Sequence, residues 1–159
     1  MKGSQKVIDL LNTLLAGELT AMDQYFIHSR MYEDWGLKRL YARIAHEMQD
    51  ETEHADQMIK RILFLEGTPN LSQREPLHVG HNVQEMLQND LKLEHSVVQA
   101  LREGIALCEA ENDFGTRNIL LQQLKDTEHD HTYWLEQQLG LIDKMGLKNY
   151  VQAMTMADA

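Results

Sequence analysis

The chain has 159 residues, a formal net charge of −10 at pH 7 and a pI near 5.2. This acidic balance excludes the basic surface that nucleic-acid binding requires, and it favours the attraction of metal cations. The single cysteine, Cys108, excludes an internal disulfide and any site built from paired cysteines. No stretch approaches about eighteen uninterrupted apolar residues, and residues 1–19 lack the apolar core of a signal peptide. We therefore expect a cytoplasmic protein with no membrane span.

Apolar residues recur at intervals of three and four along most of the chain, a pattern typical of amphipathic helices. In chain order the predicted helices cover residues 4–34, 37–65, 82–111, 113–143 and 147–154. Gly36 and Gly67 follow the first two helices as stop signals. Asn82 with Glu85 is a capping-box signature at the start of the third helix. The sequence predicts an all-α protein in which residues 1–159 form one domain.

The connections between these helices predict the topology. The first and third connections are short, so the helices that they join should be antiparallel. The linker over residues 66–81 is longer and extends to roughly 50 Å, whereas a helix of about 28 residues is roughly 42 Å long. The linker can therefore run the length of a bundle and leave the second and third helices parallel. We predict a four-helix bundle with one long crossover and a short fifth helix.

Two Glu-x-x-His pairs lie near the middle of predicted helices, namely Glu51–His54 on the second and Glu128–His131 on the fourth. Residues three apart share one face of an α-helix, so each pair can hold one metal ion. A third pair of the same spacing, Glu75 and His78, spans a proline in the linker, and we set it aside as a chance match. Position along the helices thus separates the two informative pairs from the third.

Each of the other two bundle helices carries one glutamate that interrupts an apolar stripe near mid-length, Glu18 on the first and Glu94 on the third. One glutamate from each of two helices, with Glu-x-x-His from the other two, makes a dinuclear carboxylate site. Buried carboxylates are costly unless paired, and two divalent ions cancel four negative charges. Oxygen ligands with one imidazole per metal suit Fe²⁺ or Mn²⁺. For any single glutamate, an exposed helix charge is the alternative interpretation.

With these residues in place, the chain resembles bacterioferritin and its close relatives among the bacterial ferritins over nearly its whole length. The stretches that carry the resemblance are ELTAMDQYFIHSRMYEDWGL (18–37), HADQMIKRILFLEGTPNL (54–71) and DHTYWLEQQLGLIDKMGLKNY (130–150). The resemblance implies a ferritin-like four-helix bundle with a long crossover and a short C-terminal helix. It also implies iron storage and detoxification by a ferroxidase, which oxidises Fe²⁺ with O₂ or H₂O₂ at an intrasubunit di-iron centre. The ferric mineral would lie inside a hollow shell of about 24 subunits.

Matched residue by residue, the resemblance implies a di-iron ligand set of Glu18, Glu51, His54, Glu94, Glu128 and His131. Glu51 and Glu128 would be its bridging carboxylates. Tyr25 matches a family tyrosine beside the centre, which implies an electron donor, with ordinary core packing as the alternative. His46 and Asp50 match an inner-surface iron site, with an exposed helix pair as the alternative.

Thr52 stands where bacterioferritins carry a methionine, two copies of which ligate a haem iron between subunits. A threonine has no thioether, and neither Met48 nor Met31 matches the ligand position. The resemblance therefore implies haem b only in a mixed shell, in which a methionine-bearing bacterioferritin subunit supplies the ligand. In that alternative function, the partner subunit also provides the electron path for iron release. The implied partners are copies of this chain or that second subunit, with a small ferredoxin for iron release.

Overall fold

The computed structural model describes residues 1–156, and no strand occurs among them. The helices are α1 (Gln5–Asp34), α2 (Lys38–Phe64), α3 (Val83–Ala110), α4 (Phe114–Asp126), α5 (Tyr133–Met145) and α6 (Leu147–Met154). A π-helical segment, Thr127–Thr132, joins α4 to α5, so that the three segments form one long helix. This long helix completes a bundle with α1, α2 and α3. If α4 and α5 are counted as one helix, α6 is the short fifth helix. The predicted all-α class and four-helix bundle are confirmed.

The path of the long connection between α2 and α3 establishes that these helices are parallel. It hydrogen-bonds to α1 at points that advance along that helix, through the pairs Thr68 with Asn12, Glu75 with Thr20, His78 with Gln24 and Gly80 with His28. The connection therefore advances in the same direction as α1. Since the short turn at Gly36 reverses the chain between α1 and α2, the connection returns the chain to the end at which α2 began. The long crossover predicted from linker length is confirmed.

The start of α3 shows why the crossover ends where it does. The side chain of Asn82 accepts a hydrogen bond from the backbone N–H of Glu85 at 2.9 Å. The Glu85 carboxylate accepts in return from the backbone N–H of His81 at 3.1 Å. The first bond satisfies a donor that the first helical turn leaves free. The second bond differs from that of a capping box by one residue, because it reaches His81 rather than Asn82. The local sequence thus specifies the helix start.

Two apolar clusters fill the bundle, one toward each end. One cluster includes Leu11 and Leu15 of α1 with Met58 and Ile62 of α2, and the other includes Tyr25 and Tyr32 with Leu40 and Ile44. Between them lies a layer of buried ionisable side chains at mid-height, described below. Within residues 1–156, no helix has the length and apolar character needed to cross a bilayer.

Candidate metal centre

One half of the buried polar layer is built from α1 and α2. Glu18, Glu51 and His54 are all less than 5% exposed. The Nδ1 atom of His54 lies 3.7 Å from Glu18 Oε2 and 3.7 Å from Glu51 Oε2. Glu51 and His54 share one face of α2 because they are three residues apart on an α-helix. Their ligand atoms converge closely enough with Glu18 to hold one cation.

The other half is built from α3 and the π-helical segment. His131 Nδ1 lies 2.9 Å from Glu51 Oε1 and 3.3 Å from Glu94 Oε1, and all three residues are buried. Tyr25 of α1 is also fully buried, and its hydroxyl donates a hydrogen bond to Glu94. A second set of convergent ligand atoms is thus formed by Glu51, Glu94 and His131. Glu51 belongs to both sets.

Several acceptor atoms of this layer lack the donors that buried polar groups normally have. The atoms without a hydrogen-bond partner include Glu18 Oε2, Glu51 Oε2, Glu94 Oε2 and His54 Nδ1. Burying such groups without a hydrogen-bond partner costs free energy, whereas one divalent cation could bind several of them together. Carboxylate oxygens with one imidazole on each side are the donor set that Fe²⁺ and Mn²⁺ accept. The donor chemistry therefore fits two such cations.

Crowding of these groups changes their proton affinities. Burial raises the pKa of Glu18 to about 8, and the nearby charge of Glu51 adds to the increase. Burial opposes a charge on His54, yet its carboxylate neighbours Glu18 and Glu51 raise the pKa of this imidazole to about 11. Burial opposes a charge on His131 as well, and its carboxylate neighbours hold the pKa well above the usual range for histidine. These pKa shifts favour the protonated form of all three groups.

We expect cation binding at this layer to release protons, because a metal ligand must give up the proton on its donor atom. The pKa values of Glu18 and the two histidines are raised, so lower pH favours their protonated forms. The proton then competes with the cation for the same donor atom. The apparent affinity for Co²⁺ should rise between pH 6 and pH 8. Calorimetric titration in buffers of different ionisation enthalpy measures the protons released, and an affinity independent of pH would contradict this expectation.

Glu128 does not join the other five predicted ligands in this structure. Its side chain is 40% exposed, and Glu128 Oε2 lies 3.7 Å from a guanidinium nitrogen of Arg102 on the outside of the bundle. The physical reason is the π-helical segment that contains both Glu128 and His131. A π turn holds more residues than an α turn, so each residue rotates less about the axis and positions three apart diverge. His131 therefore points inward while Glu128 points outward.

Two acidic residues near the layer were not among the predicted site residues. Glu47 is 2% exposed and contacts Nε2 of His131, and Asp126 Oδ2 lies 3.4 Å from Nε2 of His54. A signal for Glu47 was present, since it precedes Glu51 by one helical turn on the same face of α2. For Asp126 the sequence held no comparable signal. Its approach to His54 depends on how α4 packs against α2.

The predicted inner-surface pair lies at the edge of the layer. His46 is 62% exposed on its side chain, and its Nε2 atom lies 3.4 Å from Asp50 Oδ2. The same Asp50 oxygen lies 3.3 Å from His131 Nε2. A carboxylate thus links an exposed imidazole to a buried one. Thr52 is exposed on α2, and its hydroxyl donates a hydrogen bond to the carbonyl of Met48 at 2.9 Å.

Comparison with known proteins gives one consistent result. A family model described as a ferritin-like domain matches residues 8–145. The bacterial ferritin of Synechocystis sp. is 61% identical over 153 residues, which cover 96% of this chain and 98% of that protein. The bacterial ferritin of Pseudomonas aeruginosa is 62% identical, with 96% and 99% covered. The bacterioferritin of Rhodobacter capsulatus is 41% identical over 150 residues, with 94% and 92% covered.

Proposed function

Because this chain belongs to the ferritin family, we propose that it stores iron by oxidising Fe²⁺ at the buried layer described above. The observation that carries this proposal is the convergence of three glutamates and two histidines in the buried layer. Several of their oxygen and nitrogen atoms have no hydrogen-bond partner. Oxygen donors with one imidazole at each side suit Fe²⁺ as the substrate. The acidic balance of the chain, with a net charge of −10, favours the approach of cations.

The six predicted ligands have distinct roles in this proposal. Glu18 and His54 hold one Fe²⁺, Glu94 and His131 hold the other, and Glu51 bridges them because it lies in both ligand groups. We keep Glu128 as a second bridging ligand, which requires its side chain to leave Arg102 and turn inward. The ion pair itself is worth only about 0.2–1 kcal/mol, so the main requirement is a rearrangement of the π-helical segment that directs Glu128 outward.

The electron balance is satisfied by the two iron ions. Each Fe²⁺ gives one electron and becomes Fe³⁺, and the two electrons with two protons reduce O₂ to H₂O₂ or H₂O₂ to two waters. Tyr25 holds Glu94 by its hydroxyl and lies edge-on to His131, with ring centroids 6.5 Å apart. This position supports the proposed role of Tyr25 as an electron donor, which would supply the second electron to the oxidant when only one Fe²⁺ is bound. His46 and Asp50 form the proposed inner-surface iron site.

We also propose that copies of the chain assemble into a closed cytoplasmic shell of about 24 subunits. Large apolar side chains remain exposed on the single chain, including Phe26, Trp35 and Phe114, which are between 42% and 58% exposed. Exposed apolar surface of this kind supports contacts between subunits. Haem b would need a methionine from a second, bacterioferritin-type subunit, because Thr52 offers no thioether. A small ferredoxin is the proposed electron donor for iron release.

The proposal is tested by titrating the iron-free protein with Fe²⁺ in the absence of oxygen. We expect tight binding to saturate at about two Fe²⁺ per subunit, as a two-metal site requires. Rapid mixing with O₂ or with H₂O₂ should then oxidise both ions, and the faster reaction identifies the preferred oxidant. Saturation below one ion per subunit, or oxidation no faster than that of free Fe²⁺, would overturn the proposal.

A further inference from the structure

We propose that Glu47 and Asp126 are positioning residues, each of which holds one histidine of the metal centre by its Nε2 atom. This inference rests on the proposed metal centre and adds two residues to it. Both histidines present Nδ1 to the buried glutamates and Nε2 to a carboxylate on the opposite side of the ring. The same arrangement thus occurs twice, on residues from different helices.

His131 and Glu47 are both buried. The Nε2 atom of His131 contacts Glu47 Oε2 and lies 3.3 Å from Asp50 Oδ2. The other Glu47 oxygen accepts a hydrogen bond from Arg43 Nε at 2.6 Å. The Arg43 guanidinium lies over the ring of Trp134, 4.7 Å from its centroid. Arg43 therefore holds one Glu47 oxygen, and the other oxygen faces His131 Nε2 beside Asp50, which forms the hydrogen bond there.

The arrangement around His54 is more open to solvent. Its Nε2 atom lies 3.4 Å from Asp126 Oδ2, and the Asp126 side chain is 41% exposed. The other Asp126 oxygen accepts a hydrogen bond from Gln122 Nε2 at 3.0 Å. Asp126 is thus held by one amide, whereas Glu47 is held by a guanidinium.

The chemistry of imidazole explains what these carboxylates do. A neutral imidazole carries one N–H, and the other nitrogen offers the lone pair that a metal requires. Since Nδ1 of each histidine faces the glutamate ligands, the proton must stay on Nε2. A carboxylate at Nε2 accepts that N–H, selects this tautomer, fixes the ring and makes Nδ1 a stronger donor. Glu47 and Asp126 would therefore raise cation affinity without contacting the cation.

The test uses Co²⁺ as the probe, because its visible absorption reports binding at each position. Glu47→Gln keeps the size of the side chain and removes its charge. We expect it to weaken one of the two Co²⁺ positions by about 10–100-fold and to leave the other unchanged. Asp126→Asn should weaken the other position by a smaller factor, since Asp126 is partly exposed. Glu53→Gln, an exposed position on the same helix as Glu47, is the matched control and should bind as the wild type does.

Double variants separate positioning from a general loss of structure. With His131→Ala, adding Glu47→Gln should change nothing further, because the ring that it positions is absent. With His54→Ala, Glu47→Gln should keep its full effect. Thermal unfolding of each variant verifies that the chain remains folded.

Three results would overturn the inference. The first is that Glu47→Gln lowers the Co²⁺ affinity of both positions equally. The second is that Glu47→Gln still lowers the affinity when His131 is already alanine. The third is that neither Glu47→Gln nor Asp126→Asn changes Co²⁺ binding. Failure of the proposed function would give other results. The wild-type protein would then not bind two Co²⁺ ions, or His54→Ala and His131→Ala would leave Co²⁺ binding unchanged.

Discussion

Replacement of Glu51 by alanine should reduce the rate of Fe²⁺ oxidation by at least about 100-fold, a loss of roughly 3 kcal/mol in transition-state stabilisation. Glu51 has one oxygen 2.9 Å from His131 Nδ1 and the other 3.7 Å from His54 Nδ1. It therefore belongs to both ligand groups, and its loss removes a donor from each cation and the bridge between them. Stopped-flow absorbance after mixing Fe²⁺-loaded protein with O₂ or H₂O₂ measures the rate.

The matched control for this variant is Glu53→Ala, which removes an exposed carboxylate two residues away on the same helix. That variant should oxidise Fe²⁺ at the wild-type rate. Glu51→Ala should also keep its fold, because it removes one of several like charges buried together. The charge of Glu51 raises the pKa of Glu18, second only to burial. Oxidation by Glu51→Ala within a few-fold of wild type would mean that the buried layer is not the site of oxidation.

Glu128→Ala should slow oxidation by at least about tenfold, although the Glu128 side chain is 40% exposed and lies beside Arg102. The reason is charge balance. Glu18, Glu51 and Glu94 supply three negative charges, whereas two Fe²⁺ carry four positive charges, so a fourth carboxylate neutralises the centre. The ion pair with Arg102 adds little to the outward position of Glu128, so the inward turn depends on a rearrangement of the π-helical segment. The rate after rapid mixing with oxidant measures this effect.

Two further variants control for the Glu128 prediction. Arg102→Ala frees Glu128 from its partner and should leave oxidation unchanged or faster. Glu136→Ala removes another exposed carboxylate from the same side of the bundle, where it lies 3.7 Å from His95, and should have no effect. If Glu128→Ala oxidises Fe²⁺ like the wild type, the centre uses five ligands and Glu128 belongs to the outer surface.

Much of the fold could be predicted from local patterns. Apolar spacing predicted the helices, and linker length predicted the crossover, because both depend on geometry that short stretches of sequence specify. Glu18 and Glu94 could be selected because each interrupts an apolar stripe. Glu51 and His54 could be paired because α2 is α-helical throughout, so three-residue spacing keeps them on one face.

Tertiary structure alone decided the rest. The pairing of Glu128 with His131 assumed an α-helix, but residues Thr127–Thr132 form a π-helical segment that turns His131 inward and Glu128 outward. The approach of Asp126 to His54 depends on the packing of α4 against α2, which no spacing within one helix encodes. Sequence by itself determined which side chains lie on the buried face of each α-helix, because helical rotation is a local property. How four helices bring those faces together, and where one of them widens, is determined by packing between residues far apart in sequence.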